Sequence, residues 1–164
     1  MARQSMLTQP RSPKGRPDGA AVTDKFPRAT AYHEAGHAVV AWSFGLPVSN
    51  ITIKSQDASG GTDVANVGQL PTLKQVAFLA AGYTAERVFQ CEGHQWMALD
   101  DHAKIMEVLN SAGISTNDHP AYIAKANSCA ADCLQKHRDK VRDLVARLVK
   151  TGQIDGDQFQ RMMT

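Results

Sequence analysis

Two histidines one helical turn apart, with a glutamate directly after the first, constrain this chain more than any other feature: His33-Glu34-Ala35-Gly36-His37. Residues four apart on a helix share a face. Both imidazoles can therefore converge on one cation while Glu34 leans over an open coordination position. That is the layout of a hydrolytic zinc site, in which the glutamate takes a proton from water.

A five-residue pattern with three fixed positions also arises by accident, so its surroundings carry the reading. The segment from Arg28 through Gly45 reads as one amphipathic helix, with Thr30 as N-cap, Val39, Val40, Trp42 and Phe44 as apolar surface, and Gly45 as the stop. Two imidazoles and a carboxylate on the apolar side of such a helix are expensive to bury without partners, and a metal supplies the partner. Gly36 adds weight. A glycine inside a helix costs roughly 1 kcal/mol against alanine and is kept where a backbone or a ligand must come close.

Catalytic zinc takes three protein ligands and a water. The downstream positions that would hold a glycine and a third histidine on the same segment are Val40 and Ser43, so the third ligand must come from another helix. Glu86 qualifies, in the run Ala80-Ala81-Gly82-Tyr83-Thr84-Ala85-Glu86, and so does the pair Asp100-Asp101. Spacing does not choose among them. Both aspartates also suit a helix start, where they cap the chain and oppose the macrodipole.

The remaining pattern is mainly α. Helices are expected near residues 28 to 44, 71 to 90, 99 to 112, 118 to 150 and 155 to 163, with Pro120 in the first turn of the fourth and Gly152 and Gly156 bounding the turn before the fifth. Val48 to Lys54 carries β-branched residues at Val48, Ile51 and Ile53, a Ser59-Gly60-Gly61 turn follows, and Thr62 to Val67 returns. The expected fold is thus a helical domain with a small β-hairpin beside the helix that bears the two histidines.

These residues resemble the peptidase domain of the FtsH-type zinc metalloproteases, over about Thr30 to Met163. The stretch from Thr30 to Val40 is similar to that family's active-site helix nearly residue for residue. Ala80-Ala81-Gly82 with Ala85-Glu86 resembles its small-residue helix, and Asp101 with Ile105 and Met106 the helix that delivers an aspartate ligand. Leu134 to Arg138, then Val141, Leu144, Leu148 and Ile154 to Phe159, look like its terminal helix, turn and short helix.

The resemblance implies zinc held by His33, His37 and Asp101, with Glu34 as general base and Glu86 in a supporting or packing role. Asp100 is the rival to Asp101, because His102 stands where that family has an apolar residue. The implied activity is hydrolysis of peptide bonds in unfolded proteins or peptides, with an exposed strand edge gripping the substrate main chain. Two other readings compete: a zinc-bound but inactive module that binds unfolded segments or a partner protein, and a binder led by a basic arm. Retention of Glu34 favours the enzyme, since a purely structural metal site does not need that carboxylate.

Typical members of that family place this domain behind membrane spans and an ATPase module. These 164 residues hold no Gly-x-x-x-x-Gly-Lys-Ser/Thr loop. ATP hydrolysis is therefore not expected of them, folded substrates should resist without a separate ATP-dependent unfoldase, and oligomer formation stays open.

With 43% apolar residues, the length suffices for one core. Arg3, Arg11, Lys14, Arg16, Lys25 and Arg28 face only Asp18 and Asp24, with prolines between them, so residues 1–27 read as a disordered basic arm and 28–164 as the peptidase domain. A net charge of +2 gives little reason to expect a nucleic-acid partner. No apolar run has the length of a membrane span or the form of a secretion signal. Cys91, Cys129 and Cys133 are odd in number, and a cytoplasmic location is expected. His94, His102, His119 and His137 lie in or beside polar stretches and read as surface residues.

Overall fold

Small residues let two helices meet at the centre of this molecule. The computed structural model describes residues 26–91, 93 and 95–164, the side chains of Gln95 and Trp96 excepted. Helix α1 (Arg28–Ser43) packs along α2 (Thr72–Val88). A Cβ on Gly36 would lie 2.6 Å from the Cβ of Ala85 and 2.7 Å from the carbonyl oxygen of Ala81. The glycine is thus explained by a neighbouring backbone rather than by a ligand.

The same closeness overturns the amphipathic reading of α1. From Thr30 to Ala41 every residue but Tyr32 is buried, because α2, α5 and the sheet all pack against this helix. Thr30 is not the N-cap either. Pro27 holds that position, and the Thr30 hydroxyl donates instead to the carbonyl of Ala58 at 2.8 Å.

The hairpin expected beside α1 is present, and a third strand extends it into a sheet. Strand β1 (Val48–Ile53) pairs antiparallel with β2 (Gly60–Val64) on one side and with β3 (Gln153–Asp155) on the other. The second strand starts and stops earlier than 62 to 67, and a 3-10 turn, Val67–Gln69, follows it. Strand β3 stands where only the turn between Gly152 and Gly156 is expected. It forms because Ile154, fully buried, sits opposite the equally buried Ile51. Sheet order β2-β1-β3 leaves β2 as an outer strand.

Helix α3 (Gln95–Ser111) packs on α2. It begins four residues earlier than expected, so Asp100 and Asp101 lie in its second turn and cap nothing. The single long helix expected over 118 to 150 is two, α4 (His119–Lys136) and α5 (Arg138–Thr151). His137 leaves helical geometry at the junction (φ −111°, ψ 29°). The break has a packing cause: α4 lies chiefly on α2 and α5 on α1, and one straight rod cannot cover both. A left-handed Gly152 (φ 73°) ends α5, and α6 (Gly156–Met163) starts in a capping box in which Asp155 accepts from the Gln158 amide at 2.8 Å. Phe159, Leu144, Leu148 and Ile154 fill the core beneath.

The basic arm expected over 1–27 lies outside the described residues except for its last two. Phe26 belongs to the fold: its amide donates to Val149 at 3.1 Å and its ring rests against Gly152. His119 also departs from its surface reading, being buried with Nε2 donating to the carbonyl of Ile114 at 3.0 Å. His102 is exposed, and His94 lies outside the described residues. Among the described residues no helix is long and apolar enough to cross a membrane.

Candidate metal centre

The helix pair α1 and α2, with α3 laid across α2, brings three donor atoms to one point. His33 Nε2 and His37 Nε2 lie 3.1 Å apart, and Asp101 Oδ2 stands 3.0 Å from the first and 3.2 Å from the second. Among the described residues this is the one such cluster of three or more potential ligands. Its edges approach the roughly 3.3 Å expected between ligands of a tetrahedral ion with bonds of about 2.0–2.1 Å.

The outer ring nitrogens fix which atoms face the centre. His37 Nδ1 lies 2.9 Å from the carbonyl oxygen of Phe78, which can only accept, so Nδ1 donates and Nε2 is the nitrogen turned toward the centre. His33 Nδ1 is held in the same way by Glu86 Oε1 at 2.7 Å. Gly82 makes room for this arrangement, since a Cβ there would overlap the His33 ring. Glu86 is thus a support of His33 and no member of the donor triangle. Asp100 is not a member either: it is largely exposed and pairs with Lys104 at 2.7 Å. Two imidazoles, one carboxylate and oriented ring nitrogens fit a divalent metal.

Glu34, one residue past His33, is buried and stays outside the triangle. Its Oε2 accepts from the Thr62 hydroxyl on β2 at 2.7 Å. Thr62 and the Phe78 carbonyl bond directly to site residues, and sequence reasoning did not single them out. A main-chain carbonyl leaves no trace in the identity of its residue, and Thr62 reads only as a strand threonine until the strand is laid against α1.

A family model described as Peptidase M50B-like matches residues 28–113, which is 86 of the 164 residues. The chain belongs to this family. The matched span runs from the start of α1 past the end of α3 and so includes His33, Glu34, His37, Thr62, Glu86 and Asp101. It establishes a metallopeptidase-family domain, coarser than the FtsH-type resemblance. No curated protein matches the chain.

In this M50B-like domain the cluster opens onto a cleft of about 500 Å³. Gly60 to Asp63 of β2 form one wall, Phe78 and Leu79 of α2 another, and Met97, Asp100 and Lys104 of α3 the third. The charges at its floor are strongly coupled. Burial, the largest single influence on His33, opposes its protonated form, but hydrogen bonds to Asp101 and Glu86 and the nearby Glu34 outweigh it and raise the pKa to about 9. Burial likewise pushes Asp101 up, and the two histidines outweigh it, holding that carboxyl well below its usual range.

Protonated His33 contributes fully to the stability of the metal-free fold below the ordinary histidine pKa near 6.5, and that contribution is lost as pH rises through about 9. A metal must displace this proton, so its apparent affinity should climb by about tenfold per pH unit between pH 6.5 and 8.5 and level off above 9. Chelator-competition titrations across that range check this. Affinity independent of pH would mean that no such proton is displaced.

Proposed function

We propose that the protein is a zinc-dependent endopeptidase acting on unfolded proteins or peptides, with His33, His37 and Asp101 holding the metal and Glu34 as general base. The observation that carries this reading is the His-His-Asp donor triangle at the floor of an open cleft, with a buried carboxylate beside it and outside it. A purely structural zinc site is closed by four protein ligands. Membership of a peptidase family supports the same conclusion, and the sequence resemblance to FtsH-type peptidases points to the aspartate as third ligand.

A zinc ion held there supplies a Lewis acid that brings a water's pKa toward neutrality and polarises the substrate carbonyl. Glu34 accepts one proton from the attacking water as its oxygen bonds to the carbonyl carbon, and returns that proton to the amine nitrogen as the C–N bond breaks. Products are a carboxylic acid and an amine, and Glu34 ends as it began. Glu86 and the Phe78 carbonyl keep the two rings from turning while charge develops. Strand β2 is an outer strand whose residues 60–63 line the cleft. It suits an extended substrate held through main-chain hydrogen bonds, a form that an unfolded chain presents far more readily than a folded one.

The test is cleavage of a permanently unfolded protein by zinc-loaded chain without ATP. Cleavage should stop with a chelator and return on adding zinc. No cleavage of any unfolded substrate at full metal occupancy would overturn the proposal.

A further inference from the structure

Glu34 has two carboxylate oxygens, and the start of β2 treats them differently. Thr62 donates to Oε2 at 2.7 Å, with the main-chain oxygen of Glu34 a longer alternative at 3.1 Å. Gly60, two residues earlier, lies against the other oxygen: a Cβ there would come within 2.7 Å of Oε1 and of Cγ, and 2.9 Å from the Thr30 methyl. The strand is also tied down before it begins. Thr30, one helical turn ahead of Glu34 and on the same face of α1, donates to the carbonyl of Ala58 at 2.8 Å. Ala58 is held there in left-handed backbone geometry (φ 53°), which alanine adopts only when its surroundings impose it. Two hydroxyls, Thr30 and Thr62, thus pin the strand to the face of α1 that carries Glu34, on either side of a residue without a side chain.

We infer that the segment from Gly60 to Thr62 positions the base: Thr62 anchors Oε2, while the bare Cα of Gly60 leaves Oε1 free to exchange the proton. The inference rests on the peptidase reading for its kinetic consequence and on the hydrogen bond alone for its structural one. A carboxylate with one oxygen tied cannot rotate away or swap oxygens between taking and returning the proton. Misplacement of a reacting group by about 1 Å can cost on the order of 100-fold in rate. Thr62 is therefore a positioning residue that touches Glu34 and not the metal.

Thr62→Val keeps the shape and removes the donor. It should lower kcat about tenfold to a hundredfold, leave KM and zinc content unchanged, and be largely rescued by Thr62→Ser. Crystal structures of the metal-free proteins read the structural half without any assay: Glu34 should hold one conformer in wild type and Thr62→Ser and leave it in Thr62→Val. Wild-type kcat in Thr62→Val, equal loss in the serine variant, a change confined to KM, or an unmoved Glu34 would each overturn the inference. An inactive wild type would overturn the peptidase reading and the kinetic half with it, while the crystal structures would still support or overturn the hold of Thr62 on Glu34.

Discussion

Glu34→Gln is expected to keep its metal and lose its activity, with cleavage of an unfolded protein falling by about 10²–10⁴-fold, the usual worth of a positioned general base. The amide has the size and shape of the carboxylate and its oxygen can still accept from Thr62, so the hydrogen bond at 2.7 Å can survive. What it cannot do is take a proton from water. Because Glu34 stands outside the donor triangle, zinc stoichiometry should match that of wild type. Rates near wild type would remove Glu34 from the chemistry. Loss of zinc together with activity would instead make it a ligand.

The second large effect concerns the third ligand. Asp101→Ala removes one of three donors and should weaken zinc binding by more than about 100-fold, beyond the roughly 10–100-fold typical of losing a group that merely supports a ligand. Glu86→Gln should fall within that smaller range, because it alters the acceptor behind His33 at 2.7 Å and leaves all three donors in place. Asp100→Ala should change metal binding little and stability by about 0–1 kcal/mol, since it breaks only an exposed pair with Lys104. Competition titration of the three variants gives the ranking. A larger loss from Asp100→Ala than from Asp101→Ala would overturn the assignment of Asp101.

The contrast between the aspartates shows what the sequence could and could not carry. The histidine pair and Glu34 were legible because helical periodicity alone places them, and α1 runs unbroken from Arg28 to Ser43. Asp100 and Asp101 differ by one residue, hence by about 100° around a helix. Choosing between them from residue pattern alone needs the helix start, and α3 begins at Gln95 where no cap signal stood out.

Helix existence was equally legible and the interruptions were not. The break at His137 follows from α4 and α5 covering different partners, a tertiary demand that no local residue announces. Strand β3 is three residues long and exists because Ile154 meets Ile51 about a hundred residues away in the chain. The buried, non-amphipathic character of α1 has the same origin. Its polar residues face inward because His33, His37 and Glu34 find partners on α2, α3 and β2. A helix that would look costly in isolation thus becomes the centre of the fold.

The central claim is that these residues gather one metal beside one base. Anomalous diffraction from zinc-loaded crystals tests it most directly. The account predicts one strong zinc peak per chain, bonded at about 2.0–2.2 Å to His33 Nε2, His37 Nε2 and an Asp101 oxygen, with Glu34 beside it and unbonded. No peak at the triangle, or a sole peak at the Cys129 and Cys133 thiols, would contradict it.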